Sequence, residues 1–178
     1  MKRKVVFIML CFTTMFVSLM QNNVVFAEDE EVIAGTERLD LYSDEEIYVE
    51  LEDGYCIFTV TYEPVILPKW SGNWGTGSFN TTVSATYSSS SGTVMMSARF
   101  SGNITDSYAK ITGISNGLFS SDGSLSSLSY LGFPSVTYTV STPASSYMKA
   151  IYYNAYGTYE LRLYLEVWIG GSISVYIV

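Results

Sequence analysis

Near the C-terminus, Glu160, Arg162, Tyr164, Glu166 and Trp168 alternate with apolar residues. On a β-strand all five would share one face, each about 6.7 Å from the next. A pyranose offers apolar C–H faces to aromatic rings and hydroxyls to charged hydrogen-bonding groups, so such a strip suits sugar binding. Acid/base work by Glu160 with Glu166 is excluded, because six residues of strand separate them by about 20 Å and glycosidases use carboxylates about 5 to 9.5 Å apart. A carboxylate-only glycosidase would need a second carboxylate brought to Glu166 from another strand. An ordinary solvated strand face, or a second buried face for Trp168, accounts for the same pattern.

The chain has no histidine. Ser-His-Asp and Cys-His catalysis and the usual zinc sites depend on imidazole, so no catalytic residue, metal site or cofactor is assigned. The other aromatic cluster runs from Pro68 to Gly77 and carries Trp70 and Trp74 among glycines. It reads as an exposed binding loop, or as a loop closing one end of a domain with a tryptophan as its plug. Cys56 alternates with Phe58, Val60 and Tyr62, which places it on the apolar face of a strand as a small hydrophobe.

The elements that must position these residues are almost all strands. Residues 47–52 and 55–62 alternate on either side of Asp53-Gly54, a type I′ hairpin signal. Residues 81–88 and 93–101 form a second pair, with Val83, Ala85 and Tyr87 facing Val94, Met96, Ala98 and Phe100. Further runs follow at 108–115, 124–131, 135–142, 148–155, 159–169 and 173–177, with Gly, Ser, Pro or Asn between them. Helical periodicity is scarce. The pattern predicts an all-β protein, an antiparallel β-sandwich of about nine or ten short strands, with a β-barrel as the alternative.

Lys2, Arg3 and Lys4 precede an apolar run over 5–19, and Val25-Phe26-Ala27 suits a signal peptidase. Residues 1–27 therefore read as a signal peptide, since the apolar core is short of the roughly 20 residues of a spanning helix. A retained anchor is the alternative. Residues 28–46 read as an acidic, flexible N-terminal segment and 47–178 as a single sandwich domain. Net charge is −8 for the whole chain and three units more negative once the leader's cations are gone. Thirteen acidic residues lie between Glu28 and Glu63 against Arg38 alone, which argues against nucleic acid as a partner.

A signal peptide, an acidic first hairpin, the run Ser-Gly-Asn-Trp-Gly-Thr-Gly over 71–77 and Ser/Thr-rich strands beyond it resemble a group of small secreted Gram-positive proteins of unknown function. That resemblance implies a β-rich fold and an extracellular address, and it carries no site residues. Three functions are compatible with these residues. The leading one is a secreted, non-catalytic module binding cell-wall or host polysaccharide or a cell-surface protein, through Arg162, Tyr164, Glu166, Trp168, Trp70 and Trp74. The others are a membrane-active toxin or bacteriocin-like protein using the amphipathic pair over 81–101, and the carboxylate-only glycosidase.

Overall fold

Alternation of apolar and polar residues governs every long strand, because each must bury one face. The computed structural model describes residues 31–63, 77–131 and 135–178, which hold strands and turns and no helix. The strands are β1 Ala34–Gly35, β2 Leu39–Asp40, β3 Glu45–Leu51, β4 Gly54–Glu63, β5 Gly77–Ser89, β6 Gly92–Ile104, β7 Ala109–Ser121, β8 Ser124–Leu131, β9 Ser135–Thr137, β10 Ala144–Asn154, β11 Gly157–Val167 and β12 Ser172–Ile177.

All pairings are antiparallel. One sheet runs β3-β4-β5-β6-β7-β9 and the other β1-β12-β11-β10-β8, with β2 also on β12; they do not close into a barrel. The protein is an antiparallel β-sandwich. β3 to β7 form a meander, the chain crosses to the second sheet at β8, returns briefly as β9, and crosses again into the β10-β11-β12 meander.

Between the sheets lies one core. Phe58, Phe79, Met96 and Phe100 from the first sheet meet Met148, Leu163, Leu165 and Ile173 from the second, all with at most 1% exposure. Burying such side chains contributes about 1.5–3 kcal/mol each relative to leaving them in water. Cys56 lies in this core, and burial pushes its thiol up to about 12, as suits a packing group rather than a nucleophile.

Three features differ from the sequence reading. The first hairpin turns through Glu52-Asp53, and Gly54 is already in β4, paired with Leu51. The glycine is needed for close approach: a Cβ there would run into the carbonyl oxygen of Ser88 on β5. The second difference is that the sandwich begins ahead of residue 47. β1 and β2 lie along β12, and Leu41 is fully buried, so this part of the 28–46 segment is an ordered part of the sheet. The third is strand length. β5, β6 and β7 have 13 residues each, while β9 has three, because the chain turns away after Thr137 through a cluster of threonine hydroxyls. Residues 1–27, read above as a signal peptide, and the segment bearing Trp70 and Trp74 lie outside the described residues.

Candidate functional site

The β11 strip divides into two halves. Leu161, Leu163, Leu165 and Val167 point into the core, so Glu160, Arg162, Tyr164, Glu166 and Trp168 share the opposite face. The first two are accessible and form a charge cluster: Lys149 Nζ donates to Glu160 Oε2 at 3.2 Å, and Arg162 Nε donates to Glu160 Oε1 at 2.8 Å. Tyr164 is 8% exposed, and Glu166 and Trp168 are 1% exposed. An open aromatic platform is therefore ruled out at Trp168, which lies under the Arg38 guanidinium, 4.3 Å from its ring centre.

Register explains the rest of this face. Tyr147, Tyr164 and Tyr176 are direct cross-strand partners on β10, β11 and β12, and their rings form a row at 4.6 Å centroid spacing, Tyr164 stacked on Tyr176 and tilted by 43° against Tyr147. One row along, Glu166 faces Ser145 and Ser174. Glu166 Oε1 accepts from the Tyr176 hydroxyl at 3.3 Å, while Oε2 and the Trp168 Nε1 are buried without a hydrogen-bond partner. Burial raises the Glu166 carboxyl to about 7, opposed by the Tyr176 hydrogen bond and by Arg38. The Tyr176 phenol is raised as well, mainly by burial and then by Glu166.

A different set of residues converges at one end of the sandwich. Tyr87 occupies an inward position near the end of β5, while Tyr152 and Tyr159 face each other across β10 and β11. Together they line a crevice of about 210 Å³ between the sheets. Tyr152 and Tyr159 stack at 5.4 Å and 24°, and Phe119 backs Tyr152 at 5.2 Å. Burial raises the Tyr152 phenol, with Tyr159 and Tyr87 adding to the effect.

Polar groups come from three turns. Ser89 and Ser91 at the β5–β6 tip share a hydrogen bond of 2.7 Å, and Thr93 N donates to Asp122 Oδ2 at 3.5 Å from the β7–β8 turn. Gly92 has φ 134°, and a Cβ there would come within 2.7 Å of Asp122 Oδ2, so the glycine leaves room for the carboxylate to cross the hairpin tip. Asn154 completes the rim, its Oδ1 accepting from Tyr156 N at 2.8 Å. An adjoining crevice of about 500 Å³ shares Ile33 and Tyr87 and is bordered by Glu31, Glu52 and Asp53.

Sequence reasoning placed Tyr87 on the correct face of its hairpin but did not single out this group. The signal available was a tyrosine at an inward position close to the end of three strands, beside turns rich in Ser, Asp and Asn. Among the described residues, no cluster of three or more Cys, Asp or Glu side chains could hold a metal ion. Comparison with protein-family models, with curated proteins and with solved structures finds no match to this chain.

Proposed function

We propose that the protein is a secreted, non-catalytic carbohydrate-binding module, and that its ligand enters the crevice at the end of the sandwich. The observation that carries this reading is the convergence of Tyr87, Tyr152 and Tyr159 from both sheets on a cleft rimmed by hydroxyls, a carboxylate and an amide. Aromatic faces to stack on a sugar ring and short polar groups to meet its hydroxyls are the two requirements of saccharide recognition. Tyr152 is already packed against Phe119 and Tyr159, so little ordering of these rings would be needed on binding. The assay is retention of the purified protein on insoluble polysaccharides and isolated cell walls. Saturable binding, weakened about tenfold by Tyr159→Ala, which corresponds to about 1.4 kcal/mol, supports the reading. Binding to no matrix, or binding unaffected by Tyr159→Ala and Asn154→Ala, overturns it.

A membrane-active role is a second reading, and strand length favours it. β5 and β6 are 13 residues each and amphipathic, longer than the about 9–11 residues with which a strand crosses a bilayer. To insert, the pair would have to leave its neighbours β4 and β7. Absence of dye release from liposomes of several lipid compositions removes this reading.

A further inference from the structure

Among the described residues, the charged side chains lining the two adjoining crevices are all acidic. Asp122 stands on the rim of the first, and Glu31, Glu52 and Asp53 border the second, whereas among the described residues neither lining contains a lysine or an arginine. Tyr87 forms part of both walls, so an aromatic ring lies between the two groups of carboxylates. A neutral saccharide can donate hydroxyls to these carboxylates but leaves their charge unbalanced, and an anionic one would be repelled by them. A glycan with free amino groups matches both parts, because ammonium groups pair with carboxylates and are attracted to the faces of tyrosine rings.

Resting on the carbohydrate reading above, we infer that the paired crevices select glycans bearing unacetylated amines, such as glucosamine units, over N-acetylated or neutral ones. Binding is non-covalent, and the selected feature is the ammonium group. Tyr159 and Tyr152 hold the sugar ring in the first crevice, and Asp122 with Asp53 and Glu52 meets the amines on either side of Tyr87.

The test uses short defined oligosaccharides, which limit the general attraction of an acidic protein for a polycation. Glucosamine and N-acetylglucosamine oligomers of equal length are titrated against the purified protein at about pH 6, where carboxylates are ionised. We expect the amine form to bind about tenfold tighter, and the advantage to shrink as salt is raised. Asp122→Asn combined with Asp53→Asn reduces the preference to about twofold or less, because it weakens binding of the amine form more than binding of the N-acetylated one. Glu46→Gln with Asp106→Asn, which remove exposed acids elsewhere, leaves the preference intact. Equal affinity for both oligomers, or a preference that survives Asp122→Asn with Asp53→Asn, overturns amine selection and leaves the carbohydrate reading standing. If neither oligomer nor any polysaccharide binds, both fail.

Discussion

Replacing Glu166 by Gln will remove a pH dependence of stability that the wild-type protein carries on its own account. In the folded protein burial raises the Glu166 carboxyl to about 7 from its ordinary value of 4.5. The folded state therefore holds a proton there between those values while the unfolded state has released it, so stability falls as pH rises from about 4.5 to about 7 and is level beyond. A shift of about 2.5 units corresponds to about 3 kcal/mol at about 1.4 kcal/mol per unit. That is about 6–12 °C in melting temperature for a domain of this size. The chain has 17 acidic residues, so the wild-type curve alone cannot isolate this one. The difference between wild type and Glu166→Gln can, because the other groups titrate in both. Gln is nearly isosteric, keeps an acceptor for the Tyr176 hydroxyl, and stays neutral throughout. Urea unfolding of both proteins at pH 4.5, 6 and 7.5 is the assay. The variant should gain about 3 kcal/mol on wild type between the first and last pH. A difference that stays constant within about 0.5 kcal/mol, or wild type gaining on the variant as pH rises, refutes the account of Glu166 as a carboxyl held neutral by burial.

Cys56 should be inert to a thiol reagent such as DTNB in the native protein and react fully in denaturant, since its thiol is buried and raised to about 12; rapid native labelling would contradict its place in the core. Gly102→Ala should destabilise by about 2 kcal/mol or more, because the added Cβ meets the Lys110 carbonyl oxygen and the Phe79 ring, and backbone cannot move aside cheaply; near-neutral behaviour in thermal melts would count against that crowding. Leu41→Ala should cost about 2–4 kcal/mol although it lies ahead of the long strands, as befits a fully buried leucine. A loss under about 0.5 kcal/mol would mean that β1 and β2 are not integral to the sheet.

The long strands were legible because alternation is a local signal, and Phe58, Val83, Met96 and Leu163 face the core as that period requires. What escaped depends on contacts between distant segments. β1 and β2 are two residues each and exist only because β12 offers them partners, so no alternation marks them. Asp53-Gly54 looks like a turn, yet Gly54 serves the close approach of β5, a constraint that appears only when the third strand is in place. Alternation likewise separated Glu160 to Trp168 from the core-facing leucines without revealing which outward residues remain wet. The crevice tyrosines sit far apart in sequence, and their meeting depends on how one sheet's strand ends overlie the other's.

The acidic start of the chain also has a consequence for the bare margin of the first sheet. Among the described residues β3 is an outermost strand, paired on one side by β4 alone, and it carries Glu45, Glu46 and Glu50. Such a margin is a template on which a second copy could add its own margin, and so on into a polymer. Two copies meeting there would bring rows of carboxylates together, so mutual repulsion keeps the molecules dispersed at neutral pH. The same safeguard weakens at high salt, where the screened margins could zip together and light scattering would rise.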